Sequence, residues 1–221
     1  MSKPIVVKVL CEGQTEEKFI KSVIQPYFSN LIISPINLGG GICFNKIKQF
    51  IQPYLKDRIH ITTFLDYYGF DFSREENLYD FLQKISCPFE KVNLAQTKLQ
   101  EFIKQELSLT ADLFIPHIQP YEFEAVLFSD VNAFDKFEKF IHDLQKIRDS
   151  FESPEHINNS KTTAPSKRIL NLLGQSYGKN SDGIIIAKKI GILKMQQECK
   201  HFASWIEKLK YLESKNKIKI K

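Results

Sequence analysis

Two acidic residues stand where apolar runs of this chain end, a placement typical of metal-dependent chemistry. Glu12 follows the run 5–11 and leads into a glycine and a polar turn, and Asp66 closes the run 59–66 before a Tyr-Tyr-Gly turn. Open α/β sheets present functional groups at the carboxyl ends of parallel strands. Two carboxylates meeting there repel unless a cation lies between them, and Mg²⁺ favours one or two carboxylates with waters and phosphates. The alternative is that Glu12 caps a helix and Asp66 begins a turn.

Three further acids follow the same strand ends. Asp71 lies a few residues after Asp66, where it is either a second metal ligand or the N-cap of the next helix. Glu122 and Glu124 follow the strand at 112–119 and reach the same edge of a parallel sheet. We expect at least one of them to face the metal, although acids are also favoured in the first turn of any helix.

The polar segment 153–168 predicts contacts with phosphate. It carries hydroxyl and cationic side chains of the kinds that bind a phosphate backbone, namely Lys161, Ser166, Lys167 and Arg168. Ser166 stands near a helix start, which is itself a place where anions bind. The alternative is a solvated loop with a serine-capped helix. Tyr177 and Lys179 add a polar and a basic side chain, and neither by itself indicates a function.

Composition sets the broad class of the protein. The 221 residues fit one domain, and 31 Lys and Arg against 26 Asp and Glu allow nucleic-acid binding without requiring it. The four cysteines stand singly with no Cys-x-x-Cys pair, so a structural zinc site is not expected. Without a signal peptide or an apolar stretch of about 20 residues, the sequence predicts a cytoplasmic protein that does not enter membranes.

Strand and helix patterns alternate in the first half of the chain. Strands are predicted near 4–11, 31–38, 59–66 and 112–119, separated by helices near 15–28, 43–57, 73–85 and 91–107. Strands separated by helices of this length indicate a parallel sheet, and hence an α/β fold.

The second half is helical in its periodicity. Helices are predicted near 121–129, 132–149, 165–173, 183–190 and 197–213. We therefore expect an α/β core over residues 1–120 and a helical extension over 121–221, packed together as one structural unit.

Several stretches of the chain resemble Toprim-like domains, the topoisomerase–primase fold. The segment 11–19, with its EGxTE start, is similar to the first Toprim motif, in which a glutamate ends the first strand and a glycine follows. The chain resembles an uncharacterised prokaryotic Toprim-related family more closely, in the segments 65–69, 119–125, 154–158, 164–168 and 199–205. The resemblance covers nearly the whole chain and implies a Toprim-like parallel sheet flanked by helices.

The resemblance also implies a metal site. Glu12 matches the Toprim glutamate and Asp66 the first residue of the Asp-x-Asp motif, while the second aspartate falls at Tyr68. Asp71 or Glu122 would replace that ligand. Related proteins are nucleases of phage-defence systems, often encoded beside an ATPase.

Residues and resemblance together predict Mg²⁺- or Mn²⁺-dependent cleavage of DNA or RNA phosphodiesters. Glu12, Asp66 and Glu122 are the predicted catalytic acids, and Glu12, Asp66, Asp71 and Glu124 the predicted metal ligands. Two alternatives remain open: a non-catalytic effector or regulatory subunit that binds an ATPase, and a hydrolase or phosphotransferase acting on a small nucleotide. A homo-oligomer is compatible with each of them.

Overall fold

Parallel strands form the centre of the fold, as the sequence predicts. The structure is a computed structural model that describes residues 4–57, 59–75, 77–158 and 161–218, with only the backbone at 161 and 216–218. The first three strands are β1 (Ile5–Cys11), β2 (Leu31–Asn37) and β3 (His60–Asp66). The strand order is β2-β1-β3-β4, where β4 is Phe114–Ile115, and β5 (Ile118–Gln119) also pairs with β3.

The register of the sheet brings the predicted acids to one edge. Cys11 pairs with Phe64, so β1 ends beside the last residues of β3, and Glu12 and Asp66 leave the sheet on the same side. Asp66 in turn pairs with Gln119 of β5. All of these pairings are parallel, so the carboxyl ends of β1, β3 and β5 converge.

The predicted strand at 112–119 is interrupted, which corrects the sequence analysis. Pro116 and His117 separate β4 from β5, and a proline has no N–H to give to a sheet ladder. Thr63 bridges the gap, because its hydroxyl accepts a hydrogen bond from His117 N and donates one to His117 O.

Helices cover both faces of the sheet. The helical elements of the first half are α1 (Gln14–Phe19), a π-helical stretch (Ile20–Ile24), α2 (Gln25–Tyr27), α3 (Phe44–Ile51), α4 (Leu78–Lys84) and α5 (Pro88–Leu107). The helices α3, α4 and α5 share one apolar cluster with Leu10, Ile61 and Leu65.

The second half is less regular than its periodicity predicts. The predicted helix at 121–129 is a 3₁₀ segment, Phe123–Ser129, and the predicted helix at 132–149 begins as 3₁₀ structure at Val131–Phe140 before α6 (Ile141–Asp149). Repeats of 3.0 and 3.6 residues are hard to distinguish over two turns, which explains the difference. The remaining helices are α7 (Pro165–Leu173), α8 (Asp182–Glu198) and α9 (Lys200–Ile218).

The helical half packs on the face of the sheet opposite α3 and α5. Phe123, Ala187 and Trp205 share an apolar cluster with Val9 and Phe64. Trp205 also donates a hydrogen bond of 2.9 Å to Thr62 Oγ1. These contacts fix the segments that follow residue 120 over the carboxyl edge of the sheet. The described helices include none with an apolar stretch long enough to cross a lipid bilayer.

Candidate functional site

Glu12 reaches its place at the sheet edge through a gap left by a glycine. A Cβ atom on Gly69 would lie only 1.7 Å from Glu12 Oε2, so the carboxylate occupies space that any other residue would fill. Glu12 Oε2 is buried and accepts no hydrogen bond from the described residues. Burial raises the pKa of Glu12, the nearby Glu16 raises it further, and Lys179 opposes both.

Asp66 joins the sheet to the segment that follows β5. It is buried, and its Oδ1 accepts a hydrogen bond of 2.8 Å from the backbone N–H of Phe123. This contact fixes the start of the 3₁₀ segment and hence the position of Glu124. Burial holds the pKa of Asp66 well above its ordinary value, and the charges of Glu16, Glu124 and Glu12 act in the same direction.

Glu124 is more deeply buried than Glu12 and Asp66 and has no exposed surface. Lys179 Nζ lies 2.9 Å from Glu124 Oε1, close enough for an ion pair although not aligned as a hydrogen bond, and Oε2 is buried without a hydrogen-bond partner among the described residues. Burial raises the pKa of Glu124 to about 7 even though Lys179 opposes the shift.

Tyr177 adds a second unpartnered polar group beside Glu124. Its side chain is only 5% exposed, and its hydroxyl makes no hydrogen bond to the described residues. Burial raises the pKa of Tyr177, and the charge of Glu124 raises it further. Buried polar atoms are normally hydrogen-bonded, so unpartnered oxygens on neighbouring side chains mark a place where a ligand, ion or water is expected.

Lys179 contacts the buried acids, a position that the sequence analysis did not predict. Burial alone would lower its pKa, but the charges of Glu124, Asp66 and Glu16 outweigh burial and raise it. The loop that carries Lys179 is fixed on both sides. Gly178 N donates a hydrogen bond of 2.8 Å to Asp182 Oδ2, and Thr15 Oγ1 bonds the side chain of Asn180.

Glu16 completes an arrangement that we name the acidic cluster: Glu12, Glu16, Asp66 and Glu124, with Lys179 as its cation. Glu16 is buried in the first turn of α1, and its Oε2 accepts a hydrogen bond of 3.0 Å from Gly13 N. Its charge is the strongest carboxylate influence on both Glu12 and Asp66. One lysine cannot neutralise four carboxylates, so the cluster favours uptake of further positive charge.

In the described conformation the acidic cluster is not a ready metal cage. Among the residues that the structure describes, no group of three or more His, Cys, Asp or Glu side chains is arranged to hold a metal ion. The Lys179 ammonium is instead the positive charge in contact with Glu124. Any divalent cation would therefore need the acids or the lysine to move.

Asp71 and Glu122 make local contacts of their own. Asp71 is half-buried and caps the 3₁₀ turn Phe72–Arg74, since its Oδ1 accepts a hydrogen bond from Ser73 N and its Oδ2 lies 2.8 Å from Arg74 Nε. These contacts match the capping alternative for Asp71. Glu122 Oε2 accepts a hydrogen bond of 3.0 Å from Ser166 N at the start of α7.

The residues predicted to bind phosphate make contacts with other groups of the protein wherever their contacts are described. The carboxylate of Glu122 lies at the helix start where phosphate was expected beside Ser166. Arg168 Nε donates to Thr163 O, and its guanidinium lies 5.1 Å from the centre of the Phe151 ring. Lys167 is exposed, and the side chain of Lys161 lies outside the described part of the structure.

Comparison with known families gives one match. The model of the family DUF4276, a domain of unknown function, matches residues 11–210. The chain therefore belongs to this family, and the match includes every member of the acidic cluster. No curated protein and no solved structure matches the chain.

Proposed function

We propose that this member of the DUF4276 family is a phosphodiester hydrolase acting on DNA or RNA, with a divalent cation bound at the acidic cluster. The observation that carries the proposal is the pair of unpartnered buried carboxylate oxygens, Glu12 Oε2 and Glu124 Oε2, at one edge of a parallel sheet. The resemblance to Toprim-like domains, centred on Glu12 and Asp66, supports the same chemistry. It also adds the proposals that the protein acts in phage defence and works with an ATPase.

The acids present suit Mg²⁺ or Mn²⁺ in their chemistry. Hard divalent cations prefer carboxylate oxygens and keep several waters, and Glu12 and Glu124 each offer an oxygen that no described residue uses. Asp66 retains Oδ2 after its Oδ1 is used by Phe123. When bound, such a cation supplies activation of water and neutralisation of phosphoryl charge. We assign Asp66 and Glu124 as the residues that hold it.

The remaining roles at the site are assigned to residues of the protein. Asp66 keeps Glu124 in place through Phe123 N, and Gly69 leaves the space in which the Glu12 carboxylate lies. The raised pKa of Glu12 makes its carboxylate a better proton acceptor than an exposed one. We therefore assign Glu12 as the general base that takes the proton of the attacking water. Asp71 and Glu122 stay outside this assignment, because each accepts a backbone hydrogen bond from a residue outside the acidic cluster.

The proposal is tested with plasmid DNA and a structured RNA in the presence of Mg²⁺ or Mn²⁺. Glu12→Gln should abolish cleavage without lowering the melting temperature, since the amide keeps the shape of the side chain. Glu17→Gln is the matched control, because Glu17 lies in α1, the helix that follows Glu12, and pairs with Lys21 and Asn37. Cleavage that survives Glu12→Gln, or that neither cation supports, would refute the proposal.

One observation favours a second candidate, a non-catalytic subunit that binds an ATPase. The ion pair between Lys179 and Glu124 places a positive charge inside the acidic cluster, as expected of a scaffold that needs no metal. This candidate predicts no heat of Mn²⁺ binding in calorimetry. It also predicts that Glu12→Gln leaves any ATPase association unchanged.

A further inference from the structure

Lys179 and Glu124 form an asymmetric pair. The Glu124 side chain has no exposed surface, whereas 41% of the Lys179 side chain is exposed. The ammonium thus belongs to a partly solvated side chain that contacts a fully buried carboxylate. A lysine of this kind can leave its partner for water, but the carboxylate cannot follow it.

The backbone around Lys179 does not have to move for the lysine to leave. Gly178 is bonded to Asp182, and Asn180 accepts hydrogen bonds from Thr15 and, at 3.4 Å through its backbone oxygen, from Lys18 Nζ. These contacts hold the loop against α1 and α8. Withdrawal of the ammonium therefore needs only rotation about the side-chain bonds of Lys179, which flexible lysine side chains undergo readily.

The ammonium and a divalent cation would share one carboxylate. Lys179 Nζ lies 2.9 Å from Glu124 Oε1, and a cation held by Glu124 would bind the same carboxylate through the neighbouring Oε2. Two positive charges on one carboxylate repel strongly in a buried setting. Contact of the Lys179 ammonium with Glu124 therefore disfavours binding of the divalent cation, and the reverse also holds.

We infer that Lys179 is a built-in competitor of the divalent cation: its ammonium occupies Glu124 in the resting protein and has to leave before the cation binds. This inference deepens the proposed function and rests on it. Lys179 sets the threshold concentration of cation at which the site fills. The proton stays on the displaced ammonium, so the side chain keeps its positive charge after it leaves Glu124.

Calorimetric titration with Mn²⁺ alone, without substrate, tests the competition. Lys179→Met should bind Mn²⁺ more tightly than the unchanged protein, by about tenfold or more if the ammonium is off Glu124 in at most about a tenth of molecules. Lys194→Met is the matched control, because Lys194 is exposed to the same degree as Lys179, pairs with Glu198 at the far end of α8 and lies outside the acidic cluster. Its Mn²⁺ affinity should be that of the unchanged protein.

A second variant covers the case in which Lys179→Met fails to fold. Lys179→Arg keeps the positive charge and gives it a planar fork that fits a carboxylate, so its Mn²⁺ affinity should be equal to or below that of the unchanged protein. Tighter binding by Lys179→Arg would overturn the inference. Equal or weaker binding by a folded Lys179→Met would also overturn it and leave the cation site intact. Absence of Mn²⁺ binding in every variant would overturn the cation site itself.

Discussion

The contact between Gly69 and Glu12 gives the sharpest test of how the acidic cluster is built. In Gly69→Ala the new Cβ would stand 1.7 Å from Glu12 Oε2, whereas ordinary contacts of a Cβ begin at 3.4 Å. The oxygen must therefore retreat by about 1.7 Å. Because it ends a flexible side chain, the chain should still fold. A shift larger than 1 Å is enough to lower a catalytic rate about 100-fold.

The change in stability has two parts of opposite sign. Crowding of a packed site costs about 1–3 kcal/mol. Alanine also restricts the unfolded chain, which stabilises by about 0.4–1 kcal/mol where the backbone conformation suits it, and Gly69 is not among the glycines with positive φ. Gly69→Ala should therefore lower the free energy of unfolding by about 1 kcal/mol. In a Glu12→Ala background the crowding disappears, and the same substitution should stabilise by about 0.4–1 kcal/mol.

Urea unfolding followed by tryptophan fluorescence measures both effects. Trp205 is the single tryptophan of the chain and is 1% exposed, so its emission reports loss of the core. The four proteins of this double-mutant cycle, with and without each substitution, give the interaction free energy between positions 12 and 69. An equal change in the free energy of unfolding for Gly69→Ala in both backgrounds would refute the inference that the missing side chain at Gly69 makes room for the Glu12 carboxylate.

Two further predictions concern the elements that hold the site in place. Glu155→Gln should lower the free energy of unfolding by about 2 kcal/mol, measured in urea. The buried Glu155 carboxylate accepts hydrogen bonds from His201 N and Phe202 N at the start of α9, and an amide would turn a donor toward one of them. Acid should also destabilise the protein, because burial holds the pKa of His201 at about 4, aided by Lys208, against an ordinary 6.5. The unfolded chain takes up the proton first, so this contribution is complete above pH 6.5 and is lost as the pH falls toward 4. His201→Gln should flatten that part of the stability profile in urea unfolding from pH 7 to 4.5, and an unchanged slope would count against the assignment.

The parallel sheet and the edge that carries Glu12 and Asp66 could be predicted from the sequence. Buried parallel strands appear as continuous apolar runs, and the runs 5–11 and 59–66 end at Glu12 and Asp66. The interrupted strand at Pro116 was harder to predict. The flanking residues keep strand-like apolar character, and the bridging role of Thr63 depends on tertiary contact.

Asp71 and Glu122 show why single acids at turns are ambiguous. A carboxylate that binds a metal and one that accepts a backbone hydrogen bond stand at similar places in a sequence, after a strand and before a helical turn. Asp71 has its partners two and three residues away, whereas the partner of Glu122 is Ser166, 44 residues later. Only contacts like those of Asp71, between residues close together in the chain, can be predicted from the local sequence.

Lys179 could not be found from the sequence for a related reason. It lies 55 residues after Glu124, in a short loop whose position depends on contacts of Asn180 with α1 and of Gly178 with Asp182. The Tyr-Gly-Lys-Asn tetrapeptide resembles many solvated turns. Only the packing of the helical half over the sheet brings this lysine to the acids.

The charge balance of the acidic cluster argues for chemistry rather than stability. Replacing a buried ion pair by apolar side chains is often neutral or stabilising, so such pairs are weak contributors to a fold. Here four carboxylates face one lysine, and burial raises the pKa values of Glu12, Asp66 and Glu124. The neighbouring core is apolar, with Phe19 and Phe123 in ring contact, and could accept apolar side chains in their place. Strongly perturbed acids kept together at the carboxyl edge of a parallel sheet are typical of a functional site.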